Sequence, residues 1–451
     1  MTTHTLVEIL DVCLSATAPE LLSGFAIDHP QKGSKTNTYT IDVSGWVLGK
    51  KSPAVAVELV TDGRVLKIIS TNDLRPDVAE VYSELPGAEN CGFFTTVGVI
   101  GISAEAELLI YAVLQDNSRV LMGVVKFQHQ PLRSHYQPKL KPLMVTSGGR
   151  TGTTLLMRIF SEHPQISVYK QYPYEIRVAQ YWMWVLKVLS EPADHLESSP
   201  DAEFDSTLKW AGHNPFFSKK LINNEELMSW MSRTYPEQSA SFFQQKIDEF
   251  YLVCHRENNQ SLSDISNSTE VNTYKPIYFS EKFVPKYVQS LLWELYPQGR
   301  EIFLVRDFRD MLCSILAFNF RRKRSDFGRQ DAISDEDYVR IILTPSITLL
   351  RDTWRSRSVQ AHLVRYEDLI LSPVTTLSNI LEYLELENTP AIVEKMIKTS
   401  SQDTPELQQH RTTSDPKSSI GRWKQDLNAS IQAVCQESFG EILEEFGYNY
   451  S

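Results

Sequence analysis

The segment Ser147–Thr154 combines residue types that bind phosphate, in the order Ser-Gly-Gly-Arg-Thr-Gly-Thr-Thr. Its glycines allow the backbone to point N–H groups inward, and a helix that starts there adds partial positive charge. Thr153 and Thr154 offer hydroxyls, and Arg150 offers a permanent, forked cation. No Lys follows the second glycine, so this is not a Walker A loop. The segment predicts a phosphate-binding turn, and the alternative is an ordinary glycine-rich turn capped by threonines.

A second cluster of charges, Arg306–Asp310, follows a short apolar strand predicted at Ile302–Val305. Arg306 is expected to leave the carboxyl end of that strand. Ser314 is expected on the following helix, facing back toward Arg306. A surface salt-bridge network is the alternative, and such networks contribute little to stability. That alternative explains the charges but not their position after an apolar strand.

The elements that must hold these two clusters alternate between strands and amphipathic helices. Short buried strands are predicted at Leu143–Ser147, Ile302–Val305 and His362–Tyr366, each followed by a helix with one apolar face. Repeated strand–helix units predict an α/β fold with a mainly parallel, doubly wound sheet. Residues 178–270 are rich in aromatic and charged residues with little strand signal, which predicts a helical insertion.

The N-terminal part has a different pattern and predicts a smaller all-β domain. Six short strands with close spacing favour a β-sandwich, and they are predicted at Tyr39–Val47, Ala54–Val60, Val65–Ser70, Phe93–Val99, Ala106–Leu114 and Val120–Phe127. A polar linker at Gln128–Lys141 follows. We therefore predict a β-sandwich-like domain over residues 1–135 and an α/β nucleotide-binding domain over residues 141–451.

Composition limits the possible functions of the chain. It has 451 residues, of which 42% are hydrophobic and 22% charged, as expected for a globular protein with a sizeable core. The net charge of −11 argues against a nucleic-acid binder, which needs a basic surface. One anionic nucleotide could still bind where a few cations are concentrated.

Location is predicted to be cytoplasmic. The N-terminus lacks the basic and apolar segments of a signal peptide, and no apolar run is long enough to cross a membrane. The five cysteines are scattered, odd in number and without metal-ligand spacing. They are typical of reduced core thiols rather than of disulfides or a zinc site.

The first cluster resembles the 5′-phosphosulfate-binding loop of sulfotransferases, which commonly has a Pro, an Arg or Lys, and then Ser/Thr-Gly-Thr-Thr. Gly149 stands where the Pro is common. The resemblance implies that Arg150 contacts the sulfate and the bridging oxygen of 3′-phosphoadenylyl sulfate (PAPS). It also implies a cofactor-binding loop formed by Gly149, Arg150, Thr151, Gly152, Thr153 and Thr154, the last three of which contact the 5′-phosphate.

The second cluster resembles the 3′-phosphate motif of the same family, which implies that Arg306 and Ser314 grip the 3′-phosphate. Val364–Leu369 resembles the family's Tyr-Glu-Asp-Leu stretch, which implies that Tyr366 lies near the adenine. The alternative for that stretch is an edge strand and helix cap. The matches run in family order across residues 141–427.

The C-terminal stretch, His410–Thr413 with Ser419–Lys424, resembles the clamp that covers the nucleotide in sulfotransferases. The resemblance implies that Arg422 and Lys424 supply charge to phosphate. Trp423 either stacks on the base or packs into the core.

The resemblance also implies a base that accepts the proton of the acceptor hydroxyl. Cytosolic sulfotransferases carry a His in a Lys-Thr-His-Leu-Pro stretch, but the corresponding Glu281–Pro285 lacks it. Sulfotransferases that act on glycans or tyrosines use a Glu shortly after the first helix, and Glu175 is similar but several residues later. Glu175 is therefore the predicted base, and a solvent-facing carboxylate is the alternative. Lys282 resembles a family lysine near the sulfate.

Catalysis by positioning and electrostatic stabilisation requires no metal. The predicted catalytic residues are Arg150, Glu175 and Lys282. The expected products are a sulfate ester and adenosine 3′,5′-bisphosphate. The expected acceptor is a carbohydrate or another hydroxylated metabolite. One alternative is a nucleotide kinase-like phosphotransferase, against which the missing loop Lys argues. The other is a non-catalytic nucleotide- or glycan-binding protein, against which the intact Arg150, Arg306 and Ser314 argue.

Overall fold

The computed structural model describes residues 5–16, 18–61, 64–190, 225–263, 275–283, 288–401, 412–413 and 415–449. The chain forms two compact units. The first comprises residues 1–137, 180–245 and 287–295, and the second comprises residues 138–179, 246–286 and 296–451. The boundaries proposed at 135 and 141 and the helical insertion at 178–270 remain predictions, and parts of that stretch, 191–224 and 264–270, lie outside the described residues.

The N-terminal region forms two antiparallel sheets, and all six predicted strands are present within two residues at each end. The strands are β1 (Val7–Leu14), β2 (Leu22–His29), β3 (Lys35–Thr36), β4 (Thr40–Gly49), β5 (Ala54–Thr61), β6 (Arg64–Ser70), β7 (Gly92–Gly98), β8 (Glu105–Leu114) and β9 (Arg119–His129), with one helix, α1 (Pro76–Val81), before β7. The first sheet has the order β3-β1-β9-β8-β5-β6 and the second β2-β4-β7. Their packing as a sandwich stays a prediction.

The second unit contains a five-stranded parallel sheet of order β11-β12-β10-β13-β14. Its strands are β10 (Lys141–Ser147), β11 (Ile166–Ser167), β12 (Tyr278–Phe283), β13 (Arg300–Val305) and β14 (Ala361–Arg365). The three strands predicted for the α/β part correspond to β10, β13 and β14, whereas β11 and β12 were not predicted. The α/β class is therefore confirmed.

Helices follow the strands of this sheet. They are α2 (Thr153–Phe160), α3 (Val178–Ser190), α4 (Glu225–Ser229), α5 (Tyr235–Ser263), α6 (Val288–Leu295), α7 (Phe308–Arg322), α8 (Asp335–Tyr338), α9 (Thr344–Arg357), α10 (Tyr366–Leu371), α11 (Pro373–Tyr383), α12 (Pro390–Ser401), α13 (Trp423–Asp426) and α14 (Ala429–Glu445). Single π-helical turns at Trp230–Thr234 and Val339–Leu343 precede α5 and α9.

Alternate residues of β13 show how the helices cover the sheet. Ile302 and Leu304 pack in one apolar cluster with residues of α2, α11 and α12. Phe303 and Val305 pack in another with residues of α7, α9 and α14. Because successive side chains of a strand point to opposite faces, helices cover both faces of this sheet. The carboxyl ends of the parallel strands, with the loops that follow them, therefore remain at one edge.

All five cysteines have free thiols, and only Cys13 is exposed. Among the described helices, none is long and apolar enough to span a bilayer. The cytoplasmic location stays a prediction.

Candidate active site

The glycine-rich loop between β10 and α2 is shaped by two residues with positive φ, Arg150 at 64° and Gly152 at 98°. A Cβ on Gly152 would lie 2.5 Å from the ring of Tyr366, so both backbone angle and space require glycine there. Thr151 is buried, and its hydroxyl donates to the carbonyl oxygen of Gly148 at 3.0 Å. This bond closes the turn.

Arg150 and Arg306, from the two predicted anion-binding clusters, meet at the same edge of the sheet. Arg306 Nη1 donates to the carbonyl oxygen of Arg150 at 3.2 Å, and Arg150 Nε donates to Ser314 Oγ at 3.2 Å. Arg306 Nη2 donates to the carbonyl oxygen of Ser419 at 2.7 Å, and its guanidinium lies 4.7 Å from the centre of the Tyr366 ring. The clusters that the sequence predicted to bind two ends of one nucleotide are therefore in contact.

The positive charges at this edge lie close together and are largely buried. Burial and the nearby guanidinium of Arg306 lower the pKa of Arg150 to about 10. The Nε of Arg306 is buried and has no hydrogen-bond partner among the described residues. Because a buried donor without an acceptor is costly, a bound phosphate oxygen would complete this group.

Lys282 and Glu175 form a second group beside the loop. Lys282 Nζ donates to Thr154 Oγ1 at 2.9 Å, to the carbonyl oxygen of Pro173 at 2.7 Å and to Glu175 Oε1 at 2.6 Å. Arg177 Nη2 donates to Glu175 Oε2 at 2.8 Å. The Glu175 side chain is 47% exposed, so it can reach a molecule in solution while remaining paired.

These contacts shift the pKa values of Glu175 and Lys282. Burial would raise the pKa of Glu175, but Lys282 and Arg177 outweigh it and hold the pKa below its ordinary value. Burial lowers the pKa of Lys282 despite the attraction of Glu175. Glu175 is therefore ionised near neutral pH and able to accept a proton.

A cavity of about 650 Å³ joins the two groups. Among the described residues, its charged lining comprises four cations, Arg150, Arg177, Lys282 and Arg306, and one carboxylate, Glu175. A protein of net charge −11 thus concentrates positive charge at this edge of the sheet. The predicted site residues that line the cavity are Gly149, Arg150, Gly152, Thr153, Thr154, Glu175, Lys282, Arg306, Ser314 and Tyr366.

The charges of the Arg306–Asp310 segment are buried, which contradicts the alternative of a surface network. Asp307 caps the N-terminus of α7 and pairs with Arg309 at 2.7 Å. Asp310 accepts hydrogen bonds from the backbone N–H groups of Gly421 at 2.6 Å and Trp423 at 2.9 Å. The segment therefore connects the cavity to the C-terminal stretch.

The predicted clamp residues Arg422, Trp423 and Lys424 do not line the cavity. Trp423 packs into the core, with the guanidinium of Arg309 3.8 Å from its ring centre. Arg422 donates to Thr412 Oγ1 at 3.0 Å, and that hydroxyl lies 3.4 Å from Ser314 Oγ. The Lys424 ammonium lies 5.6 Å from the Trp423 ring centre. Contact of these three with a nucleotide stays a prediction, and His410 and Arg411 lie outside the described residues.

Several residues line the cavity that the sequence did not single out. Ser419 and Thr412 belong to the stretch that resembled the clamp, whereas Phe318 and Phe327 were not considered. Phe318 lies one helical turn after Ser314, and that spacing could have identified it. Phe327 lies in an irregular loop that carries no periodic signal.

Asp310 should make the stability of the chain depend on pH. Its pKa is raised to about 6, mainly by burial, whereas an aspartate in an unfolded chain titrates near 4. Folding therefore takes up a proton between about pH 4 and pH 6. The resulting stabilisation is complete below about pH 4 and is lost as pH rises through 6, a change of about 3 kcal/mol at most.

Chemical denaturation of the parent and of Asp310→Asn across pH 4–8 measures this contribution. The difference between their unfolding free energies should change between pH 4 and 6 and be constant above 7. A difference that is constant over the whole range would contradict the assignment.

The second unit thus combines an α/β fold with a cationic cavity at the carboxyl edge of its parallel sheet. The model of the sulfotransferase family matches residues 142–390, more than half of the chain, and the chain belongs to that family. A search of curated proteins found no match.

Solved sulfotransferases resemble the chain only distantly. The sulfotransferase domain of the Synechococcus PCC 7002 olefin synthase is 19% identical, with 72% of this chain and 100% of that chain covered and a TM-score of 0.37. Sulfotransferase STF9 from Mycobacterium avium is 14% identical, with coverages of 69% and 78% and a TM-score of 0.34. Mouse sulfotransferase SULT7A1, complexed with PAP, is 12% identical, with coverages of 68% and 85% and a TM-score of 0.33.

Proposed function

We propose that this protein transfers a sulfuryl group from PAPS to a hydroxyl group of an acceptor. The observation that carries the proposal is the meeting of Arg150 and Arg306 in one cavity, where the buried Nε of Arg306 has no partner among the described residues. Membership of the sulfotransferase family supports sulfuryl transfer. The two cationic groups, one at Arg150 and one at Arg306, support a donor that carries phosphate at both ends.

The nucleotide is held by two groups of residues. The loop of Gly149, Arg150, Thr151, Gly152, Thr153 and Thr154 takes the 5′-phosphosulfate with its backbone N–H groups and the start of α2. Arg306 and Ser314 take the 3′-phosphate, and Tyr366 lies beside Arg306 where the adenosine would sit. The buried Arg306 Nε, which has no hydrogen-bond partner among the described residues, and the excess of cations in the cavity are compatible with a bound nucleotide phosphate.

The reaction forms a bond between the acceptor oxygen and sulfur and breaks the bond from sulfur to the 5′-phosphate oxygen. Negative charge then grows on that phosphate oxygen, and Arg150 and Lys282 stabilise it. The hydroxyl proton passes to Glu175, which is ionised and partly exposed. The products are a sulfate ester and adenosine 3′,5′-bisphosphate.

The acceptor is a carbohydrate or another hydroxylated metabolite. The choice of Glu175 as the base and the predicted cytoplasmic location together favour this class over a protein acceptor. No metal enters the proposed reaction, because the donor carries its own leaving group. Within the described residues, no cluster of three or more His, Cys, Asp or Glu side chains could hold a metal ion.

Incubation with PAPS labelled in the sulfate, together with a panel of hydroxylated acceptors and with EDTA, tests the proposal. Labelled sulfate ester that accumulates in equal amount to adenosine 3′,5′-bisphosphate is the expected result. In a parallel incubation with ATP and Mg²⁺ and without EDTA, transfer of a phosphoryl group would indicate the phosphotransferase alternative. Tight PAPS binding without turnover on any acceptor would indicate a binding protein.

A further inference from the structure

Two consecutive residues of β12 hold the segment 173–179, which carries Glu175. Near its start, Lys282 Nζ bonds Glu175 Oε1 at 2.6 Å. At its end, Glu281 Oε1 accepts a hydrogen bond of 2.6 Å from the backbone N–H of Ala179. Lys282 belongs to the proposed catalytic group, but Glu281 lines no part of the cavity.

The edge of the sheet allows one segment to reach both side chains. Successive side chains of a strand point to opposite faces, so Glu281 and Lys282 lie on different faces of β12. On its outer side, β12 pairs with β11 only at Tyr278 and Phe279. Among the described residues no strand pairs with this side of β12 beyond Phe279, and the segment 173–179 contacts both Glu281 and Lys282.

The contact made by Glu281 is a strong one. Glu281 is buried, and its Oε1 also accepts a hydrogen bond of 2.6 Å from the hydroxyl of Tyr251 on α5. Ala179 lies in the first turn of α3, where N–H groups have no partner within the helix. The partial positive charge at that helix terminus attracts a carboxylate. Glu281 therefore fixes the start of α3 and the chain that leads into it.

We propose that Glu281 is a positioning residue for the transfer reaction, because its bond to the Ala179 N–H keeps Glu175 against Lys282. The inference rests on the proposed role of Glu175 as the base. The nucleotide phosphates are held by other elements, the β10–α2 loop and the start of α7. Loss of Glu281 should therefore disturb the base without disturbing nucleotide binding.

Two variants act on opposite ends of this hydrogen bond, the first by weakening the acceptor and the second by removing the donor. Glu281→Gln removes the charge of the acceptor. Ala179→Pro removes the donor at a helix position where a missing N–H is tolerated, and it leaves Glu281 bonded to Tyr251. Tyr251→Phe is the matched control, because it removes a different hydrogen bond to the same carboxylate and does not change the segment 173–179.

We expect Glu281→Gln and Ala179→Pro to lower kcat by about 10- to 100-fold, with the Kd for adenosine 3′,5′-bisphosphate within about twofold of the parent. The acid limb of the kcat–pH profile should move to higher pH, because Glu175 would lose the cations that lower its pKa. Amide hydrogen exchange of a peptide covering residues 173–179 should become faster. Tyr251→Phe should lower the Tm and change none of these quantities.

The outcomes separate this inference from the proposed function. If Glu175→Gln keeps parental activity, the base is wrong, and exchange in residues 173–179 still tests the positioning contact alone. If Glu175→Gln is inactive but Ala179→Pro keeps the parental pH profile and exchange rates, the positioning role is wrong. Equal changes in Tyr251→Phe would also overturn it, since they would indicate a general loss of packing. If Glu281→Gln fails to fold, the pH profile and the hydrogen exchange of Ala179→Pro test the positioning role.

Discussion

Replacement of Arg150 with alanine is expected to lower kcat by about 10³-fold or more, the scale seen when one donor to a developing negative charge is removed. Arg150 is held by Ser314 and lies over the ring of Phe318, 4.5 Å from its centre. Its guanidinium is therefore held in place beside α7, in the cavity that the glycine-rich loop also lines. Steady-state kinetics with labelled PAPS, under saturating donor, measure the effect.

Two further variants separate charge from backbone shape. Arg150 has a φ of 64°, which costs a side-chain-bearing residue but not glycine. Arg150→Gly should therefore be as inactive as Arg150→Ala while being more stable by roughly 1 kcal/mol. Arg322 lies 4.6 Å from the centre of the same Phe318 ring but is exposed and outside the cavity lining, so Arg322→Ala should keep parental kcat. Activity in Arg150→Gly would contradict the role of the guanidinium.

Arg306→Ala is expected to weaken binding of adenosine 3′,5′-bisphosphate by about 100-fold, since a charge-assisted hydrogen bond contributes about 1.5–3 kcal/mol. The same variant should bind adenosine 5′-phosphate with nearly parental affinity. Calorimetry with the two nucleotides measures the ratio of their Kd values. The parent should discriminate strongly between them, and Arg306→Ala should lose most of that discrimination.

The ratio of the two Kd values distinguishes the loss of a 3′-phosphate contact from a general distortion of the cavity. Arg306 also bonds the carbonyl oxygens of Arg150 and Ser419, so its removal could distort the whole cavity. Distortion would weaken both nucleotides alike and leave the ratio unchanged, and that result would count against a 3′-phosphate at Arg306. Ser314→Ala should reduce the ratio in the same direction by a smaller factor, because a neutral hydroxyl contributes less than a guanidinium.

The regular part of the fold was predictable because its apolar patterns match the strand and helix periods. The N-terminal strands β4 to β9 and the parallel strands β10, β13 and β14 follow this rule. β1 and β2 were missed because few of their side chains are fully buried, which leaves no clear alternation. β12 was missed for the opposite reason. Its side chains are all buried, but they include Glu281 and Lys282, whose charges break the apolar run of a parallel strand.

Local motifs predicted ten of the described residues that line the cavity, whereas contacts between distant parts of the sequence were not predictable. The loop around Arg150 and the Arg306–Ser314 pair are short patterns beside single strands, so sequence alone placed them at one sheet edge. The Asp310 carboxylate accepts hydrogen bonds from the backbone N–H groups of Gly421 and Trp423, which lie more than one hundred positions away in the sequence. No local sequence pattern indicates that these hydrogen bonds form or that the Trp423 side chain packs in the core.

Ser314, Arg150 and Arg306 form one chain of hydrogen bonds, so we expect the proposed sites for the two phosphates to be energetically coupled. Thermodynamic reciprocity requires the coupling free energy to be equal in both directions. Binding free energies measured separately at the two sites should therefore not be additive, and a small anion bound at one site should change the affinity of the other.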